Sequence, residues 1–219
     1  GAFVVWERWN ADPMAPYYGT PEVVVQRAGP DGTARWNPNG VMVTRRSSIV
    51  DIETDGTGNL YVLFNTVQPP TVSIQKFDNT GQPRWGTNGM VLSTYIPNPF
   101  MGTILRGPSG SVYATWPDTL TGATTDSAVV RVQRISSDGQ RLWGNNGLAA
   151  GPATYALIVF QRMCSDSAGG LIVTWEKGGK RFADSNFNII AQRIDSSGAL
   201  LWGSTGKPVC TAPGAQYEP

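Results

Sequence analysis

The chain has 219 residues, with 17 Lys and Arg against 16 Asp and Glu, and it contains 26 Gly, 16 Pro, 8 Trp and no His. A net charge of +1 without a basic stripe or acidic tail makes nucleic acid and anionic membranes poor partners, and the commonest general base and transition-metal ligand is missing. Short runs of Val, Ile, Thr and Tyr with few good helix formers indicate an all-β protein. No apolar run approaches the roughly 20 residues that span a bilayer.

Strands with alternating apolar residues and a terminal aromatic recur along the chain. They are AFVVW (2–6), LYVLF (60–64), VYATW (112–116) and LIVTW (171–175). Each is followed by a strand with a Gln and a basic residue, a turn leading into Gly, and a short strand with Trp. A last strand then precedes a Gly-rich turn, as in SSIVDIETDGTG (47–58), MGTILRGPSG (101–110) and LIVFQRMCSDSAGG (157–170). This pattern is typical of antiparallel meanders.

An internal repeat with fixed spacing underlies these elements. In four segments a Gln lies ten residues before a Trp, a basic residue follows the Gln, and Gly lies four residues before and four after the Trp. The segments are VQRAGPDGTARWNPNG (25–40), IQKFDNTGQPRWGTNG (74–89), VQRISSDGQRLWGNNG (132–147) and AQRIDSSGALLWGSTG (191–206). Successive Trp residues are 49, 58 and 59 residues apart, within the range of a four-stranded propeller blade.

The sequence therefore predicts a β-propeller, or a propeller-like arc, of four four-stranded antiparallel blades. We expect one repeat domain over 1–219 with approximate units 1–58, 59–110, 111–170 and 171–219. A single meander cannot bury both faces, so the repeated Trp and Gly are expected to lie between blades. The repeated Gln is expected to satisfy backbone groups at the same place in every blade.

The run AQRIDSSGALLWG (191–203) resembles repeats in large secreted and cell-surface bacterial proteins. Those repeats pair a W-E/D-x-R strand end with a later A-Q-R-I-D-x-x-G-x-x-L-W-G-x-x-G strand pair. Trp6-Glu7-Arg8 and Trp175-Glu176-Lys177 match the first element, whereas Phe64-Asn65 and Trp116-Pro117 depart from it. The resemblance implies an extracellular or cell-surface location and blade architecture, and it is silent about activity.

Two weaker likenesses also concern architecture. Residues 78–85 are similar to the tryptophan-docking motif of quinoprotein-like propellers, in which Gly precedes Trp by four residues. Residues 136–143 are similar to the Asp-box of sialidases, with a spacing that differs by one residue. Both likenesses favour a propeller, and neither implies a reaction.

Carboxylates are the strongest candidates for chemistry. Six lie at or after the aromatic strand ends: Glu7, Asp12, Asp118, Asp126, Glu176 and Asp184. Such groups could hydrolyse glycosides in pairs, or they are solvated loop carboxylates and turn formers. Four more lie in turns beside Gly, as Asx-turn residues or calcium ligands: Asp31, Asp78, Asp138 and Asp195. Without His, a G-x-S-x-G elbow or a phosphate loop, we predict no catalytic residue, no metal ligand and no cofactor.

One class of loops varies in length between the repeats while the rest of the repeat keeps its spacing, and this predicts a binding face formed by those loops. The aromatic strand end and the repeated Gln are 20, 11, 17 and 17 residues apart in the four units, while the spacing from Gln to Trp and Gly is constant. The candidate binding residues are Trp9, Tyr17, Tyr18, Asp118, Glu176 and Arg181. Aromatic rings at a loop tip suit sugar stacking or a protein hot spot, or they pack on a neighbouring blade. Arg181 lies in a basic stretch that could also be a solvated hairpin.

These observations predict a non-catalytic scaffold or interaction module of a secreted or surface-exposed bacterial protein, binding a protein or a glycan on one loop face. The alternatives are a carbohydrate-active propeller enzyme and a structural subunit of a large extracellular assembly. The chain begins and ends inside a unit, so an arc of a longer array or a fragment is expected rather than a small ring, and the missing signal peptide is uninformative. Cys164 and Cys210 flank the last unit and could form one disulfide or remain two buried thiols.

Overall fold

The chain is all-β and divides into two compact units, Gly1–Thr94 and Tyr95–Pro219. The computed structural model describes all residues except 13–14, 95–100, 121–126, 155–157, 179–185 and 217–218, and within strands the side chains of 10–12, 15–20 and 119–120 are also not described. Pro108–Gly110 forms a 3₁₀ turn. No helix in the described part of the chain is long and apolar enough to cross a membrane.

The first unit contains two antiparallel sheets. Sheet 1 has the order β1-β2-β3, and sheet 2 has the order β4-β5-β6-β7. The strands are β1 (Ala2–Asp12), β2 (Ala15–Ala28), β3 (Val41–Arg45), β4 (Ser47–Thr54), β5 (Leu60–Val67), β6 (Pro70–Phe77) and β7 (Met90–Ser93). One apolar core joins the two sheets, because Val23 and Val25 of sheet 1 and Leu60, Val62 and Phe64 of sheet 2 belong to the same buried cluster.

The second unit repeats this arrangement with two four-stranded antiparallel sheets. Sheet 3 has the order β8-β9-β10-β11, and sheet 4 has the order β12-β13-β14-β15. The strands are β8 (Thr103–Arg106), β9 (Val112–Leu120), β10 (Ser127–Ile135), β11 (Leu148–Ala149), β12 (Ile158–Ser165), β13 (Leu171–Lys177), β14 (Asn188–Ile194) and β15 (Lys207–Cys210). Tyr113 and Val132 of sheet 3 share a core with Leu171, Val173 and Trp175 of sheet 4.

The prediction of an all-β chain with four antiparallel sheets is confirmed. Three sheets have four strands, and sheet 1 has three strands within the described residues. The expected unit boundary at residue 58 falls between β4 and β5, which pair with one another from Ser47/Thr66 to Thr54/Leu60. The turn between them is closed by the Asp55 carboxylate, which accepts the backbone N–H groups of Thr57 and Asn59. Each complete sheet therefore begins one strand earlier than the sequence predicts.

Both alternatives for the cysteines are wrong in this structure. Cys164 lies on β12 and Cys210 on β15, the two opposite edges of sheet 4. Three strand spacings of about 4.8 Å separate those edges by about 14 Å. A disulfide requires Cα atoms within about 7 Å, so this pair cannot be bridged without moving the sheet. Both thiols are free, and Cys164 is exposed while Cys210 is partly exposed rather than buried.

Candidate functional site

The repeated Gln fastens the Trp-bearing turn to its own sheet in all four repeats. Its side-chain nitrogen donates to a backbone carbonyl eleven residues ahead, with Nε2–O distances of 2.6–2.7 Å. Its side-chain oxygen accepts the backbone N–H groups of the next residue and of the Trp, at 2.9–3.1 Å. The four residues are Gln26, Gln75, Gln133 and Gln192. This arrangement, called here the Gln clamp, confirms the predicted role of the Gln.

Within each unit, the Trp of one sheet lies on the turn Gly of the next sheet. A Cβ atom added to Gly81 would lie 2.8 Å from Cδ2 of Trp36, and one added to Gly198 would lie 3.1 Å from Cδ1 of Trp143. The Trp36 indole also donates to the Asn79 carbonyl in the same turn, at 3.0 Å. The prediction that Trp and Gly meet between sheets is confirmed at these two places. We call this contact the Trp–Gly joint.

A basic residue reinforces both Trp–Gly joints. Arg27 donates from Nη1 to the Asn79 carbonyl at 3.2 Å, and Arg134 donates from Nη1 to the Ser196 carbonyl at 3.0 Å. Asn79 and Ser196 occupy the same position, four residues after their Gln. The arginine side chains also lie over aromatic rings of their own sheets, Arg27 over Phe3 and Arg134 over Tyr113, each at 5.8 Å from the ring centroid. The two units thus use the same donors and acceptors at equivalent positions.

Three of the predicted Asx-turn residues accept the backbone N–H two residues ahead. The Oδ1–N distances are 3.2 Å for Asp31, 2.8 Å for Asp78 and 2.9 Å for Asp195. In sheet 3, Ser136 accepts the Gln140 N–H at 2.8 Å and donates to Asp138. The hydrogen bond from the Ser197 hydroxyl, with those from backbone N–H groups, lowers the pKa of Asp195. These four carboxylates belong to turns, and the hydrogen bonds account for their position.

The strand ends of sheet 1 carry a cross-strand ionic cluster. Arg8, Glu22 and Arg45 are register partners on β1, β2 and β3. Glu22 is 4% exposed, and its carboxylate accepts from Nη2 of Arg8 at 2.8 Å and lies 3.3 Å from Nε of Arg45. Trp9 follows Arg8 on β1, so its side chain lies on the opposite face of sheet 1, where it exposes 61% of its surface. An exposed ring of this size can stack on the face of a ligand, while the two guanidinium groups of the opposite face are engaged by Glu22.

Glu7 has a structural role at the same strand end. Its carboxylate accepts the backbone N–H of Ile49 at 3.1 Å, and this bond crosses from sheet 1 to sheet 2. Ile49 precedes the register shift in β4, where the ladder with β5 is interrupted. Glu7 therefore satisfies a backbone group of β4, at the edge of sheet 2, and fastens the two sheets together.

The strand ends of the second unit hold the other described candidates. Asp118 lies on β9 and pairs with Arg131 of β10, with 3.4 Å between Oδ2 and Nε. Glu176 is fully buried on β13, next to the buried Trp175. Gln161 of β12 is 1% exposed, and its side-chain amide has no hydrogen-bond partner within the described structure. Of the two carboxylates described here, Glu176 is thus buried and Asp118 is engaged by an arginine.

The structure locates three of the six predicted binding residues. Trp9 is exposed at the end of sheet 1, while Asp118 and Glu176 lie on sheets 3 and 4. Tyr17 and Tyr18 belong to β2, but their side chains lie outside the described residues, as does the whole of Arg181. Asp12, Asp126 and Asp184 likewise have no described side chain.

Sequence reasoning missed the buried Glu22. Glu22 lies fourteen residues from Arg8, and only the strand register brings the two together. The register could not be deduced from the sequence, because the length of the hairpin loop between these two strands differs among the units and is greatest in the first. A buried position in an otherwise apolar strand, EVVVQ (22–26), was the available signal.

Within the described residues, no group of three or more His, Cys, Asp or Glu is arranged to hold a metal ion. No protein-family model and no curated protein matches the chain.

Proposed function

We propose that the chain is a non-catalytic β-propeller scaffold whose sheets stack as blades. In this proposal it serves as an interaction module of a secreted or surface-exposed bacterial protein. The Trp–Gly joint is the observation that carries the proposal. It occurs between sheets 1 and 2 and again between sheets 3 and 4, with the same residue positions in each. The same contact at equivalent positions of two pairs of sheets is what blade stacking would produce.

The roles of the carboxylates favour a scaffold over a glycoside hydrolase. A hydrolase needs two carboxyl groups directed at the same bond, one of them carrying a proton. Glu22 instead lies between two arginines, Glu7 accepts a backbone N–H, and Asp118 faces Arg131. These groups stabilise the strand ends. A glycan panel on which the protein released reducing ends, at a rate abolished by Glu22→Gln, would contradict this part of the proposal.

The strand ends of sheet 1 are the best-supported contact surface. Trp9 is largely exposed on one face of sheet 1, whereas the guanidinium groups of Arg8 and Arg45 lie on the opposite face, where Glu22 holds them. Rigid aromatic and arginine side chains dominate the energy of many interfaces, and aromatic rings also stack on sugar faces. The ligand is a protein or a glycan that offers an apolar face to the Trp9 ring.

Binding to a panel of immobilised oligosaccharides and extracellular proteins tests this assignment. We expect Trp9→Ala to weaken binding of the recognised ligand by about tenfold or more, as loss of a contact worth over 1.4 kcal/mol would. Leu201→Ala is the matched control, because Leu201 is an apolar side chain that is 46% exposed on sheet 4. Equal affinities for wild-type protein and Trp9→Ala would exclude this surface.

A further inference from the structure

We propose that Asn88 and Asn146 deamidate spontaneously and that the reaction loosens the turns held by the Gln clamp, whereas the equivalent Asn39 is protected. Each of these three residues is exposed, lies three positions after the repeated Trp and directly precedes a Gly. The fourth repeat has Thr205 at this position. The inference rests on the chemistry of the turns alone, so its failure would leave the ligand-binding proposal untouched.

Deamidation needs only the Asn side chain and the backbone nitrogen that follows it. This nitrogen attacks Cγ of Asn, so a bond from the nitrogen to Cγ forms and the bond from Cγ to Nδ2 breaks. The backbone proton leaves with Nδ2 as ammonia, and a cyclic imide remains. Water then opens the imide at one of its two carbonyl groups and gives either Asp or isoaspartate, in which the backbone runs through the side chain. Asn is a thermolabile residue, and Gly has no Cβ to shield its nitrogen.

The turn of the first repeat holds the attacking nitrogen in a hydrogen bond. The N–H of Gly40 donates to the Asn37 carbonyl at 2.8 Å. The Asn37 side chain accepts the N–H of Asn39 at 3.0 Å, and this bond restrains the residue that would be attacked. Both bonds must open before the Gly40 nitrogen can react with Cγ of Asn39, so this turn protects its Asn.

The other three turns start with a Gly in place of Asn37 and are more open. These glycines have a positive φ, of 77°, 76° and 79°: Gly86, Gly144 and Gly203. In the fourth repeat, the Gly206 nitrogen is 3.4 Å from the Gly203 carbonyl oxygen, compared with 2.8 Å in the first turn. In the second and third turns, the described residues contain no hydrogen bond from the N–H of Gly89 or Gly147. The nitrogens that follow Asn88 and Asn146 are therefore not held by their turns.

The turn of the third repeat carries an additional restraint. Arg141 donates from Nη1 to the Asn145 carbonyl. This bond holds the peptide group before Asn146, whereas the attacking nitrogen belongs to the peptide group after it. The restraint therefore slows the approach of the two reacting atoms without preventing it, and we expect Asn88 to react before Asn146.

Isoaspartate at either site would loosen a Gln clamp. The carbonyl of Gly86 accepts Nε2 of Gln75 at 2.7 Å, and the carbonyl of Gly144 accepts Nε2 of Gln133 at 2.6 Å. Isoaspartate adds a methylene group to the backbone between this carbonyl and the Gly that closes the turn. That Gly has no room to shift, because an added Cβ at Gly89 or Gly147 would already lie 2.7 Å from a backbone oxygen of the strand that carries the Gln. The new carboxylate is also ionised at neutral pH.

Peptide mapping by mass spectrometry measures all three rates in one sample of protein kept at mildly alkaline pH. In the native protein we expect Asn88 and Asn146 to deamidate about tenfold faster than Asn39, because two hydrogen bonds must open first at Asn39. In protein unfolded by guanidinium chloride the three rates should be similar, because each Asn precedes a Gly. Equal native rates at the three sites would overturn the proposal. So would native rates at Asn88 and Asn146 no higher than at Asn145, which does not precede a Gly.

Two sets of variants test the cause and the consequence separately. Asn37→Gly gives the first turn the Gly of the other turns, so the rate at Asn39 should rise toward that at Asn88, and an unchanged rate in a folded variant would overturn the protection. Asn88→Thr with Asn146→Thr copies the fourth repeat at both sites. Aged wild-type protein should unfold at a lower urea concentration than fresh protein, whereas the double variant should keep its midpoint. An equal loss on ageing in both proteins would overturn the effect on the Gln clamp.

Discussion

Replacing Gln133 by Met should destabilise the protein through its backbone rather than through a cavity. Met has nearly the volume of Gln and packs well in apolar surroundings, so the packing of sheet 3 is kept. What is lost is the Gln clamp: the bonds from Nε2 to the Gly144 carbonyl at 2.6 Å and from the N–H groups of Arg134 and Trp143 to Oε1 at 3.1 and 3.0 Å. Gln133 is 1% exposed, so water cannot replace these bonds without opening the turn.

The expected loss follows from the three backbone groups left without a partner. A buried group without a hydrogen-bond partner costs about 1–3 kcal/mol, and the partly buried groups cost less than a fully buried one. The bond to Trp143 is the buried one of the three. We expect the free energy of unfolding to fall by about 3–5 kcal/mol, a large part of the roughly 5–15 kcal/mol of a typical domain.

Urea unfolding followed by tryptophan fluorescence measures this change. Gln140→Met is the matched control, because Gln140 is an exposed residue of the same hairpin whose hydrogen bonds within the described part of the chain all involve its backbone. The control should stay within about 0.5 kcal/mol of wild type. If Gln133→Met were as stable as Gln140→Met, the clamp would not hold the turn and the reasoning would be refuted.

Three further changes have distinct expected outcomes. Gly81→Ala should lower the free energy of unfolding by about 1–3 kcal/mol more than Gly86→Ala does, because both positions have a positive φ but only the Cβ at Gly81 meets an indole. Equal losses for the two variants in urea unfolding would contradict this. The lowered pKa of Asp195 gives a contribution to the free energy of unfolding that is present above the ordinary value of 3.8 and lost as the pH falls through the folded pKa. Asp195→Asn should therefore make the free energy of unfolding depend less on pH in the acid range. The same acid unfolding curve for variant and wild type would argue against this. Burial, assisted by the charge of Asp55, raises the pKa of Tyr61 to about 12. Tyr61→Phe should therefore remove the last step of the ultraviolet phenolate titration, and a variant that kept this step would contradict the assignment to Tyr61.

The repeated frame could be predicted from the sequence because its contacts are local. The ten residues from Gln to Trp form one hairpin, so their spacing alone determines the Gln clamp. The Trp–Gly joint was predictable for a related reason, since a feature that recurs in every repeat must meet its neighbour in the same manner each time. Alternation in strands such as LYVLF (60–64) likewise gave the buried faces directly.

The remaining features depend on strand pairing that the sequence leaves open. The turn at Asp55 could either end one sheet or connect two strands of the same sheet, and only the pairing of β4 with β5 decides between them. Cys164 and Cys210 flank one unit in sequence, yet the order of strands puts them on opposite edges. The cluster of Arg8, Glu22 and Arg45 forms only in one register of three strands, and the variable length of the hairpin between β1 and β2 keeps that register from being read off the sequence.

The closure of each Gln clamp within its own sheet bears on how such a chain can change in length. All four clamps connect residues no more than eleven positions apart, so these bonds are kept when a neighbouring sheet is gained or lost, and only the additional bond from Nε2 of Gln192 to the Ala150 carbonyl of sheet 3 depends on the neighbour. A duplicated or deleted repeat would carry its own turn geometry with it and would meet the same indole and the same glycine at the new boundary. Genes for such chains can therefore vary in copy number by recombination without a second, compensating mutation.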